Sequence, residues 1–206
     1  MQMDLKKRFH KLVSNYTKDE NQIALLWINI DKHYSEKHRA YHNLTHLNEI
    51  FKYADVYKQH IENYDCLAFS IFYHDVIYNI WKQDNEEKSA DFAVKHLSKI
   101  NIKTSFLEKI HQQIIATKTH EATNNDTKWM VDFDLGILGA PAETYINYTK
   151  QIREEYKLVP KILYKKGRKK VLQHFIDKPF IYATDEFRNL YEGQAKHNLT
   201  NELNSL

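Results

Sequence analysis

Apolar positions recur along this chain at helical spacing, and no stretch alternates convincingly with a period of two. Ile23-Ala-Leu-Leu-Trp27 with Ile30 opens one helix, which turns polar through Glu36-Lys-His-Arg39. Leu44, Leu47, Ile50, Phe51, Ala54 and Tyr57 mark the buried face of a second. Residues 65–80 are greasy on every side, the pattern of a helix enclosed in a core. Ala90, Ala93, Val94, Leu97 and Ile100 predict another helix behind the acidic start Glu86-Glu87, which suits the helix dipole. Phe106, Leu107, Ile110, Ile114 and Ile115 predict a fifth. A polar loop from Thr119 to Thr127 precedes Trp129–Leu138, and Gly139 and Pro141 bracket a break. Further helices follow through Tyr145–Tyr156 and Val171–Ile176, and a last one from about Asp185 toward Ala195. The expectation is one all-α domain, a single-domain helical bundle spanning residues 1–206.

Composition sharpens this picture. Four glycines and three prolines in 206 residues fit helices joined by short connections, because strand-rich folds spend both types on turns. The lone Cys66 excludes an intrachain disulfide framework and fits a reducing cytoplasm. No charge-free apolar run reaches membrane-spanning length, and the N-terminal stretch Met1–His10 has no signal-peptide hydrophobic region. A formal charge of +3 is too small to argue for nucleic acid. The basic run Lys165-Lys-Gly-Arg-Lys-Lys170 wraps round its helix and reads as a solvated patch that can also steer anions.

Chemistry enters with His74-Asp75, an imidazole and a carboxylate inside the greasy run 65–80. Burying both is costly without compensation, and a bound cation is the most economical one. More groups of ligand type stand upstream, in Tyr41-His42-Asn43-Leu-Thr-His46, and downstream, in Asp132-Phe-Asp134. Asn43 suits an N-cap for the helix starting at Leu44, which puts His42 just before that helix and His46 in its first turn. Two His and two Asp from three helices suit one or two divalent ions (Mn, Mg, Fe or Zn) rather than a thiolate-rich structural zinc site.

These residues resemble the HD superfamily of metal-dependent phosphohydrolases. Tyr41-His42-Asn43-x-x-His46 is particularly similar to its cyclic-nucleotide phosphodiesterase branch. Arg39-x-Tyr-His-Asn-Leu-x-His46, Phe72-x-His-Asp-x-x-Tyr78, Asn85-Glu-Glu-x-Ser-Ala90, Asp132-x-Asp-Leu-x-Ile-Leu-Gly139, Ile152-Arg-x-Glu-Tyr156 and Tyr164-x-x-Gly-Arg168 resemble a small bacterial-type subfamily over roughly residues 25 to 185. The resemblance implies that His46, His74, Asp75 and a later aspartate bind metal. Asp134 is preferred to Asp132, since Phe-Asp-Leu matches the family context and the two point to nearly opposite sides of a helix. The resemblance also makes His42 the acid that protonates the leaving oxygen. The chain is far shorter than the phosphodiesterase catalytic domains and shows no aromatic-glutamine base pocket, which argues against cyclic nucleotides.

The expected activity is hydrolysis of a phosphate ester or anhydride in a small phosphorylated metabolite, a nucleotide foremost. A metal-activated hydroxide attacks, Asp75 orients it, and His42 serves as general acid. Arg39, Asn43, Glu86, His120, Arg153 and Arg168 are candidate substrate contacts. The arginines otherwise form salt bridges, Glu86 complements a helix dipole, and His120 is a loop histidine or a second-metal ligand. Two rival readings are a non-catalytic nucleotide sensor that keeps the metal core and a di-iron oxygenase. A homo-oligomer is left open.

Overall fold

Among the described residues, six of the ten helices begin where a short polar side chain accepts a free backbone N–H, and the apolar spacing of each sequence sets the stripe that is buried. The computed structural model describes residues 4–206; Met1–Met3, the start of the N-terminal stretch read above, lie outside the described residues. α1 (Leu5–Val13) is capped by Asp4 and buries Leu5, Phe9, Leu12 and Val13. Against it packs α2 (Glu20–Tyr34), capped by Asp19. α3 (Leu44–Val56) starts at Asn43, whose carbonyl oxygen accepts from the Thr45 N–H at 2.8 Å. α4 (Tyr64–Tyr73) follows the Asn63 cap and is buried continuously from Cys66 to Tyr73.

Six helices follow α4. They are α5 (Asn85–Leu97), α6 (Thr104–Thr119), α7 (Asn125–Asp134), α8 (Ala142–Glu155), α9 (Lys161–Asp177) and α10 (Asp185–Ser205). α4 packs on α3, α5, α6 and α7, so its whole circumference is core. Among the described residues there is no strand, and no helix is long and apolar enough to cross a membrane. The architecture is all-α, as the hydrophobic spacing predicts.

Several boundaries differ from expectation. The greasy run 65–80 is not one helix: α4 stops at Tyr73, and His74 is its C-cap. Tertiary partners end it. Tyr34 Oη accepts from the Asp75 N–H at 3.2 Å, and Ser89 Oγ accepts from the Ile77 N–H at 3.0 Å. The chain then turns away with His74 and Asp75 at the helix end. α10 continues ten residues past Ala195, to Ser205. α1, unanticipated in the sequence, closes the core through Phe9, which packs edge-on against Phe72 at 5.0 Å.

A 3-10 turn at Leu135–Gly139 links α7 to α8 and lies tightly on α10. A Cβ at Gly139 would stand 2.6 Å from the Tyr191 Cβ and 3.0 Å from its backbone oxygen, so only glycine permits this approach. Asn198 secures the same turn by donating to the Leu138 and Ala140 carbonyls, both at 2.8 Å.

Candidate metal centre

Three helix ends converge on one point. His46 comes from the first turn of α3, His74 and Asp75 from the end of α4, and Asp134 is the last residue of α7. The Nε2 atoms of His46 and His74 stand 3.3 Å apart. Asp75 Oδ2 lies 3.2 Å from His74 Nε2 and 3.9 Å from that of His46. Asp134 Oδ1 lies 3.2 Å from His46 Nε2 and 3.5 Å from His74 Nε2. Two donors held at about 2.1 Å from one cation stand roughly 3.0 Å apart in an octahedral site and roughly 3.4 Å in a tetrahedral one. The spacings fall around those values.

The donor set fits a divalent cation in two further respects. His74 Nδ1 lies 3.0 Å from the Ile71 carbonyl, which can only accept, so this nitrogen carries the proton and Nε2 offers a lone pair to the cluster. Charge balance also favours a cation. Burial disfavours charge on both imidazoles and takes His46 downward, yet the neighbouring Asp75 and Asp134 carry His74 well above the ordinary histidine value. Burial likewise opposes ionisation of Asp75 and Asp134, and the surrounding imidazoles hold both carboxyls low. A proton on His74 answers one of these two negative charges; a divalent cation answers both.

The cluster borders a cavity of about 220 Å³. His42 lines it, and its ring is fixed from behind by Glu155 of α8. Glu155 Oε2 accepts from His42 Nδ1 at 2.7 Å and from the Tyr78 hydroxyl at 2.7 Å. Its Oε1 accepts the Tyr41 and His42 backbone N–H groups at 2.8 and 2.9 Å. A carboxylate only accepts, so Nδ1 carries the proton and Nε2 is left for the cavity. Burial lowers the His42 pKa, but Glu155 and the cluster carboxylates outweigh it and the net shift is upward. Burial likewise resists the Glu155 charge, and His42 pulls that carboxyl down to about 2.

In the sequence Glu155 enters only as part of the motif Ile152-Arg-x-Glu-Tyr156, with no role of its own. It sits in α8 beside Arg153 and reads there as one more helix acid. Its near-complete burial and its partners, 77 to 114 positions away, have no local signature.

Of the expected substrate contacts, Glu86, His120 and Arg168 line the cavity with His42, Asp75 and Asp134. His120 Nε2 lies 3.6 Å from Asp134 Oδ2, and its backbone is left-handed at φ 54° where it ends α6. Arg168 is held by both oxygens of Glu202, at 2.7 and 2.9 Å.

The other three, Arg39, Asn43 and Arg153, do not line this cavity. Arg39 is a buried brace: it donates to Glu36 at 2.9 Å and to the carbonyls of His42, Asp75 and Val76 at 3.1, 2.7 and 3.0 Å. Asn43 is spent on the α3 cap and on the Ala40 carbonyl. Arg153 donates to the Tyr156 and Val159 carbonyls beside a separate cavity. Asp132 turns away from the cluster and accepts from the Ala183 N–H, the Thr184 N–H and the Thr184 hydroxyl at 2.6, 2.7 and 2.6 Å.

Comparison of the chain with family models, curated proteins and solved structures finds no match to any of them.

Proposed function

We propose that this protein is a metal-dependent phosphohydrolase acting on a small phosphorylated metabolite, nucleotides included, in a reducing cytoplasm. The observation that carries the reading is one juxtaposition. A His-His-Asp-Asp donor set lies at the edge of a cavity that also receives His42, an imidazole held protonated at Nδ1 by a buried glutamate. The ordered motifs shared with the HD superfamily support the same reading.

A divalent cation held by His46, His74, Asp75 and Asp134 supplies neutralisation of phosphate oxygens and lowers the pKa of water. The chain's own residues supply the rest. Asp75, lining the cavity, accepts a hydrogen bond from the attacking water and aims it at phosphorus. His42 gives a proton from Nε2 to the departing oxygen, a task matched to an imidazole whose pKa is raised toward the working pH. Glu155 keeps the tautomer and favours the imidazolium.

Metal analysis followed by phosphate release across a panel of nucleotides and phosphoesters tests this. His74→Ala and Asp75→Ala should lose both metal and turnover. His42→Ala should keep its metal and lose rate by about 10²-fold or more. Full activity in the His42 variant removes the acid assignment; a metal-loaded wild type silent on the whole panel removes the hydrolase reading.

A further inference from the structure

The cavity beside the cluster has two unlike sets of lining residues. Asp75 and Asp134 of the donor set line it together with His42, Glu86 and His120. The 3-10 turn, α9 and α10 supply an apolar wall of Leu138, Val171, Leu172, Phe175 and Leu199. A substrate whose phosphate sits at the donors must place its organic part against this apolar wall.

The charges restrict the phosphate part. Among the described residues lining the cavity, Arg168 is the one permanent cation; Glu202 takes its Nε–Nη2 edge, and Nη1 lies 3.4 Å from the Tyr148 hydroxyl. The carboxylates of Asp75, Asp134 and Glu86 line the same space. A second or third phosphate, each adding negative charge, would meet no cation but an arginine already paired with a carboxylate, and would share the space with Glu86. Two further polar groups of the lining are committed as well. Asn85 spends both ends of its amide on the backbone of Asn79, and the Thr117 hydroxyl donates to the Ile114 carbonyl. Size sets a further bound, since about 220 Å³ lies below the usual range of roughly 300–1,000 Å³ for drug-sized ligands.

We infer that the substrate is a phosphomonoester with a single phosphoryl group on a compact, uncharged and largely apolar alcohol, a class that leaves out nucleoside di- and triphosphates. This rests on the phosphohydrolase reading and narrows it. In the reaction the oxygen of water forms the new bond to phosphorus and the ester P–O bond breaks. The His42 proton goes to the alkoxide, and the proton released by water makes good that loss. The products are a neutral alcohol and inorganic phosphate.

Matched pairs test the inference on the metal-loaded full chain. Benzyl phosphate and glycerol 3-phosphate are both alkyl esters, but only the first has an apolar body; the adenosine mono-, di- and triphosphates differ only in phosphate number. Benzyl phosphate should exceed glycerol 3-phosphate in kcat/KM by about tenfold or more, the scale of apolar pocket contacts. The adenosine series should fall with each added phosphate. Val171 is 46% exposed, so Val171→Asp should fold, and it should collapse the benzyl-to-glycerol ratio toward one through KM. A binding readout stands apart from turnover: benzylphosphonate should raise the Tm of the metal-loaded protein more than methylphosphonate does.

Preference for the triphosphate, or equal handling of benzyl and glycerol esters, overturns this inference and leaves the hydrolase reading intact. Equal Tm shifts from the two phosphonates overturn it as well. Silence on every ester removes the hydrolase reading and the inference together.

Discussion

Asp132 and Asp134 are two residues apart on α7, and the protein uses them in opposite ways. Asp132 is fully enclosed, and its two oxygens take three donors from residues 183–184, tying α7 to the entry of α10. Asp134 faces three imidazoles, of His46, His74 and His120, and meets no backbone donor there. The first carboxylate is complete within the protein. The second is arranged around positive charge that must arrive with a proton or a cation. A buried acid therefore marks a candidate site by the kind of partner it lacks rather than by burial.

The sharpest way to break this contrast is to remove each carboxylate. Asp132→Ala strands two N–H groups and a hydroxyl, which should cost roughly 3 kcal/mol or more and lower Tm by roughly 6–12 °C. Asp134→Asn should cost the metal-free protein less than Asp132→Ala does while weakening metal affinity by about 10²-fold. Thermal unfolding in chelator and metal titration give the two readouts. Equal destabilisation by both variants would erase the distinction.

The two aspartates should also carry opposite pH signatures in the metal-free protein. Burial pushes the Asp132 carboxyl up to about 6, so its contribution is greatest below the ordinary aspartate range and declines as pH rises through about 6. Asp134 is held low, so its contribution is present above that range and is lost as pH falls below it. Denaturant unfolding of the two variants against wild type from pH 3 to 8 should show gaps that change in opposite senses.

Glu155 is an intermediate case, taking backbone donors on one oxygen and an imidazole on the other. Glu155→Gln should lower the His42 pKa, visible by NMR titration of the imidazole. The alkaline limb of the rate profile should then move to lower pH, because an acid catalyst fails once it deprotonates. An unmoved His42 pKa would make Glu155 a backbone clamp alone. The smallest effect belongs to the surface: Glu49→Ala, which breaks a half-exposed pair with Lys52, should change stability by less than about 0.5 kcal/mol.

What the sequence discloses and what it hides divides along physical lines. Helix spacing and caps are local, so the all-α architecture and the Asn43 cap are readable from a few neighbouring residues. His46, His74, Asp75 and Asp134 stand out because charged and imidazole groups amid Leu, Ile and Phe need a reason. The end of α4 is hidden, since neither glycine nor proline marks it and the stopping bonds come from Tyr34 and Ser89. Glu155 is hidden for the same reason: its role is made by helix packing. Arg39 and Arg153 mislead because a guanidinium suits phosphate and main-chain carbonyls alike, and only the fold decides between them.

The brace at Arg39 reaches beyond stability. One buried guanidinium grips the carbonyls of His42, Asp75 and Val76, so the segment bearing His42 and the segment bearing Asp75 are tied to each other. The apolar wall comes from residues 135–139, α9 and α10, with no share in that grip. Substitutions in that wall leave the Arg39 contacts untouched. For an engineer seeking a new substrate, the place to cut is the wall, and the rivet is the place to leave alone.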